Sequence, residues 1–155
     1  MTRVSSHQTL IDHFGAVLLG RAEEPFYRFL ADGEDQVELL TGAMLDRRAR
    51  AVAVALREHA EVGDRTLILC PPGIDYVAAF FGCLYAGVVA VPAYPPDSGH
   101  IPRMLPRLLG VIEDAAPSVV LAPAAAAAIS SSQWPPKSCG SSSPTSRRCW
   151  SAGIR

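Results

Sequence analysis

The sequence predicts an α/β fold, a partial parallel sheet covered by helices and preceded by a short hairpin, and three observations carry that reading. Between residues 66 and 122, short β-rich runs alternate with helical stretches in the order strand, helix, strand, helix, strand. The strand runs are nearly continuous in apolar residues rather than alternating, the pattern of strands covered on both faces. Prolines and glycines stand at the ends of these runs, where they stop a ladder or turn the chain. Such alternation favours parallel neighbours joined by right-handed crossovers, with at least one layer of helices on the sheet.

Each element follows from local pattern. Residues 9–19 place Leu10, Phe14 and Leu18 at spacings of four, one face of a short amphipathic helix. Residues 26–30 and 37–40 flank Ala31-Asp32-Gly33-Glu34-Asp35, in which Asp32-Gly33 can supply the positive φ of a tight reversal, so a hairpin is expected. Thr41 is placed to cap the next helix, whose Leu45, Ala49, Val52 and Leu56 recur on one face, leaving Asp46, Arg47, Arg50, Arg57 and Glu58 toward water. No acidic residue stands three positions after Thr41, so the reciprocal capping box is missing and the helix start is weaker by up to about 1 kcal/mol.

Gly63-Asp64 turns the chain into residues 66–70, a buried strand that Pro71 and Pro72 stop. Residues 74–86 are apolar nearly all round, the pattern of a helix covered on most sides, with Gly87 as its stop. Residues 88–91 form a second strand, 106–115 a helix with Pro106 in its first turn, and 118–122 a third strand.

Composition narrows the function classes. A chain of 155 residues with 49% hydrophobic positions can bury one core and is too short for two. Net charge is −1 and the charges are interspersed, with no basic stripe to track a phosphate backbone, so nucleic acid is not an expected partner. Asp12 and His13 interrupt the only apolar stretch near the amino terminus, and Gly82 and Gly87 break the run from Ile74 to Val91. Neither a signal peptide nor a membrane span is therefore expected, and the reading is a reduced, cytoplasmic protein.

Residues able to carry chemistry are scattered. Cys70, Cys83, Cys139 and Cys149 form no CxxC pair, and the first two, set in apolar runs, read as buried thiols. His7, His13, His59 and His100 lie far apart, and no Ser or Cys sits on a nucleophile-bearing turn. Neither GxxxxGK[ST] nor GxGxxG occurs. Asp75, in the first turn of the apolar helix, reads as a helix-dipole partner rather than an acid or base. Tyr94, within Val91-Pro92-Ala93-Tyr94-Pro95-Pro96-Asp97, falls on a proline-stiffened loop at the carboxyl edge of the sheet, where open parallel sheets bind ligands. On its residues alone the favoured reading is a loop aromatic packed on the proline rings. No catalytic, cofactor-binding or metal-ligating residue is assigned.

Three stretches carry a family resemblance: Leu45-Asp46-Arg47-Arg48-Ala49-Arg50-Ala51, then Gly63-Asp64-Arg65, then CPPGIDYVAAFFGCLYAGVVAVPAYPPD from Cys70 to Asp97. Over roughly residues 8–129 the chain resembles the amino-terminal region of fatty acyl-AMP ligases, members of the adenylate-forming, AMP-binding superfamily. The helix, Gly-Asp-Arg and strand pattern is shared across that superfamily; the PAYPPD segment is similar to fatty acyl-AMP ligases more than to acyl-CoA synthetases. Gly42 and Met44 depart from the aromatic and acidic residues usual in the family.

The resemblance implies a parent protein that activates a fatty acid with ATP and Mg²⁺ to an acyl-adenylate. The acyl group then passes to an acyl carrier protein, often for polyketide or lipopeptide assembly. It further implies that the Ser/Thr/Gly-rich phosphate loop ending in Pro-Lys-Gly, the adenine and ribose motifs and the charge-neutralising lysine all lie downstream of the matched residues. Lys137, the sole lysine, sits in Pro-Pro-Lys-Ser-Cys and does not match.

Residues 1–129 are thus expected to be an incomplete α/β portion of an AMP-binding ligase domain, and residues 130–155 a disordered tail. The tail's Ser, Pro, Arg and Cys without apolar period is what a GC-rich gene yields when read out of frame, so a frameshifted or truncated product is expected. Such a fragment would be inactive. The rival readings are a stand-alone, non-catalytic α/β binding or interaction module and, last, a small flavodoxin-like domain for another cofactor, which would need a phosphate-contacting loop.

Overall fold

The computed structural model describes residues 9–35, 37–95, 101–123 and 151–154. The elements run in the order α1 (Leu10–Gly20), β1 (Pro25–Leu30), β2 (Val37–Thr41), α2 (Gly42–Arg57), β3 (Arg65–Ile68), α3 (Ile74–Ala86), β4 (Val89–Pro92), α4 (Ile101–Ala115), β5 (Val119–Pro123) and β6 (Ser151–Ile154). The fold is α/β, with a parallel sheet in the order β4-β3-β5-β6 and a separate antiparallel hairpin of β1 and β2.

Local chemistry sets the boundaries. Thr9 and Asp12 form a reciprocal capping box at α1: the Asp12 amide donates to Thr9 Oγ1 at 3.2 Å and the Thr9 amide donates to Asp12 Oδ2 at 3.0 Å. At α2 the Met44 amide donates to Thr41 Oγ1 at 3.3 Å with no acidic partner in return. Gly33 takes φ +82° in the hairpin reversal, where the Glu34 amide donates to Asp32 Oδ1 at 2.9 Å. Gly87, at φ +76°, ends α3 by donating its amide to the carbonyls of Cys83 and Leu84.

Helices cover the sheet on both faces. Ile68, Cys70, Val119 and Leu121 pack with Val52, Ala53 and Leu56 of α2 and Ala79 and Cys83 of α3. Leu67, Leu69, Val120 and Ala122 point the other way, onto Leu108, Val111 and Ile112 of α4. Successive strand residues therefore enter two different cores, which is why β3 and β5 read as continuous apolar runs. A third cluster, with Leu18, Leu40, Leu45 and Ile74 at its centre, ties α1 and the hairpin to α2 and α3. There Phe14 of α1 stacks on Phe81 of α3 at 3.9 Å between ring centroids.

Three expectations are corrected. The helix expected over 106–115 starts at Ile101, so Pro106 lies inside it. The amide that Pro106 lacks would have donated to the carbonyl of Pro102, so α4 forgoes one interior bond near its start, a defect that ordinarily weakens or kinks a helix. The tail expected to be disordered over 130–155 contributes β6 at residues 151–154, a fourth strand parallel to β5; residues 130–150 and 155 lie outside the described residues. Asp46, expected to face water, instead turns toward α3, where the Tyr85 hydroxyl donates to its Oδ1 at 2.9 Å.

Candidate functional site

The chain's connectivity singles out one place at the sheet edge. From β3 it passes to α3 on one face, and from the neighbouring β4 to α4 on the opposite face, so the two connections part between the carboxyl ends of β3 and β4. A crevice opens where connections diverge in this way. Cys70 and Pro72 after β3, Tyr76 of α3, and Pro92, Ala93, Tyr94 and Pro95 at the end of β4 line a cleft of about 320 Å³ there.

Backbone bonds hold both walls. The Ala93 amide donates to the carbonyl of Ile68 at 3.0 Å and the Leu69 amide to that of Leu121 at 2.8 Å, which carries the ladder past the last strand residues. Proline rings then fix φ on either side of the cleft. Tyr94 projects from this stiff loop at 73% exposure, whereas Cys70 is 3% exposed at the floor. Burial, and after it the negative charge of Asp75, pushes the Cys70 thiol up to about 11, so it stays protonated and unreactive near neutrality. Cys83, deeper in the same cluster, is pushed up to about 12 by burial first and by Cys70 second. Both are the buried thiols the sequence pattern indicates; Cys139 and Cys149 lie outside the described residues.

A second opening of about 590 Å³ shares Pro72 with the cleft and is lined also by Phe29, Glu38, Leu39, Arg48, Pro71, Gly73, Ile74 and Asp75. Asp75 sits in the first turn of α3, 3.5 Å from Arg48 across the helix pair, with both side chains about half exposed. Its place in that first turn is the one the sequence indicates, and the ion pair is one that the sequence did not reveal.

These residues do not fit a nucleotide triphosphate or a metal ion. The cleft lining carries no cationic side chain, and its prolines donate no amide. In the second opening two carboxylates, Glu38 and Asp75, face the single cation Arg48. Among the described residues no group of three or more His, Cys, Asp or Glu side chains is placed to hold a metal. His13 and His59 lie outside both openings, and His7 and His100 lie outside the described residues. What the cleft offers chemically is a rigid, apolar, aromatic wall.

The sequence pattern led to Tyr94 and its loop, but the partners that meet it, Cys70, Pro72 and Tyr76, are brought there by the parallel pairing of β3 with β4. Pro72 and Tyr76 carried no signal by themselves; only their position after a strand marked them.

Comparison with known proteins gives the class. The profile of the AMP-binding enzyme family matches residues 20–148, and the chain belongs to that family. Within it, the similarity is to fatty acyl-AMP ligases. The medium-chain fatty acid–acyl-carrier-protein ligase JamA of Moorena producens is 50% identical over 95 residues, which are 61% of this chain and 16% of that protein. The long-chain fatty acid–AMP ligase FadD32 of Mycolicibacterium smegmatis is 41% identical over 105 residues, 65% of this chain and 16% of that protein. The crystal structure of a fatty acid AMP ligase from Legionella pneumophila superposes with a TM-score of 0.69 at 35% identity, covering 77% of this chain and 20% of that one. The chain thus spans about a sixth of the length of the curated relatives it matches.

Proposed function

We propose that these residues are the amino-terminal part of a fatty acyl-AMP ligase, which joins a fatty acid to ATP and passes the acyl group to an acyl carrier protein. The observation that carries this reading is the 50% identity over 95 residues to JamA, a ligase of fatty acids and acyl carrier protein. The chain contributes a sheet edge and an apolar wall. ATP and Mg²⁺ are handled by the ligase outside these residues, because none of the described residues lining the cleft is a cation that could hold a triphosphate. A cytoplasmic setting, with polyketide-type assembly downstream, suits that activity; among the described residues no helix is long and apolar enough to cross a membrane.

This division of labour makes the chain inactive alone and exchangeable within a complete ligase. Replacing the matching segment of JamA with residues 25–95 of this chain is expected to give a soluble chimera that keeps medium-chain-dependent exchange between ATP and pyrophosphate. A folded chimera without exchange, beside active JamA, would overturn the assignment.

A further inference from the structure

The two edges of the sheet are protected differently. At one edge β4 is four residues long and ends in Pro92, which offers no amide for another strand. At the other edge the exposed ladder would be that of β5. Its Val119, Val120, Leu121 and Ala122 are each at most 8% exposed, and it is the most uniformly buried strand of the fold. Unpaired, a strand of this composition presents an apolar row of free amides and carbonyls to any other chain.

β6 takes that edge. Its backbone pairs in parallel with four of the five residues of β5, Val120 with Ser151, Leu121 with Ala152, Ala122 with Gly153 and Pro123 with Ile154. These four residues lie beyond the span, residues 20–148, over which the chain matches its family. Ser, Ala and Gly are weak strand formers, so β6 itself makes a poor template for a further strand.

We propose that Ser151–Ile154 is an edge cap held in cis, occupying the hydrogen-bonding side of β5 and so preventing that strand from pairing with a second copy of the chain. The interaction it blocks is β-sheet extension between copies, driven by the apolar β5. The inference does not depend on ligase activity, and it stands or falls separately from the assignment above.

The test uses the full chain with Ala152→Pro and Gly153→Pro together. Successive amides of a strand point to opposite sides, so one of two adjacent prolines must remove a bond to β5. The unaltered chain is expected to sediment as a monomer across concentration. The double-proline chain, with helix content unchanged by circular dichroism, is expected to associate as concentration rises and to exchange its β5 amides roughly tenfold faster. Ala152→Ser with Gly153→Ala keeps both amides and the weak strand propensity, and is expected to behave as the unaltered chain does. Should the proline pair disturb the helices, a chain ending at residue 150 is measured instead, and a peptide of residues 149–155 added in trans is expected to restore both protection and the monomer. The proposal is overturned by a proline variant that stays monomeric with unchanged β5 protection. It is equally overturned by an unaltered chain that associates as readily as the variant, or by a shortened chain that the peptide does not restore.

Discussion

At the scale of single residues, the fold keeps several polar groups in places that set its response to mutation and pH. Thr66, in the centre of β3, is fully buried and its hydroxyl has no hydrogen-bond partner among the described residues. Replacing it by Val preserves the shape and removes a desolvated, unsatisfied hydroxyl, which ordinarily costs about 1–3 kcal/mol. Thr66→Val is therefore expected to raise the unfolding free energy by about 1 kcal/mol in a urea titration. Three acids respond to alkali instead. Burial pushes Cys70 from its ordinary 9.0 up to about 11 and Cys83 from 9.0 up to about 12. Burial, followed by the hydrogen bond to Asp46, pushes Tyr85 from 10.0 up to about 12. All three hold their protons longer in the fold than in the unfolded chain, so the stability they contribute is complete below pH 9 and is lost as pH rises toward 12. Thermal melts from about pH 7 to about pH 11 are expected to show a plateau and then a fall beginning near the ordinary thiol value, a fall that Cys83→Ala makes shallower.

At the scale of elements, the close approach of α2 and α3 organises everything beneath the cleft. A Cβ built on Gly82 would stand 2.5 Å from Val52 Cγ1 and 2.6 Å from Val52 Cβ, too near for either helix to stay in place. Gly82→Ala gains about 1 kcal/mol of helix propensity but meets an overpacking cost of about 1–3 kcal/mol. With contacts this short the steric term wins. A net loss of about 1–2 kcal/mol is expected, and Val52→Ala in the same chain should recover part of it. The periodicity of α2 and the all-round apolar character of α3 were legible as helices, and Gly87 as a stop, because each rests on chemistry within one turn. The contact at Gly82 was not legible, since a glycine inside an apolar helix reads the same whether or not another helix leans on it. Asp46 misleads for a related reason: its place on the polar side of α2 is correct, but Tyr85 arrives there from α3, 39 positions along the chain. The early start of α4 was hidden by Pro102 and Pro106 together, because a proline more readily opens a helix than sits within one, and Pro106 suits that opening position.

At the scale of the whole molecule, alternating buried strands and helices were enough to indicate a parallel sheet, and the Cys70 to Asp97 stretch was enough to indicate the family. The order of the strands was not, because β3 takes β4 on one side and β5 on the other, and nothing in the apolar runs distinguishes the two sides. That order creates the cleft, so Tyr94 could be placed at the sheet edge from sequence while the residues facing it could not. We propose that the described residues have the fold of a fatty acyl-AMP ligase segment and leave the handling of ATP to the rest of the ligase. The most direct test is fatty-acid-dependent exchange of pyrophosphate into ATP by the purified, folded chain with Mg²⁺ present. Exchange equal to that of a heat-killed control is expected at every fatty acid concentration. Exchange that exceeds the control and rises with fatty acid would contradict the proposal.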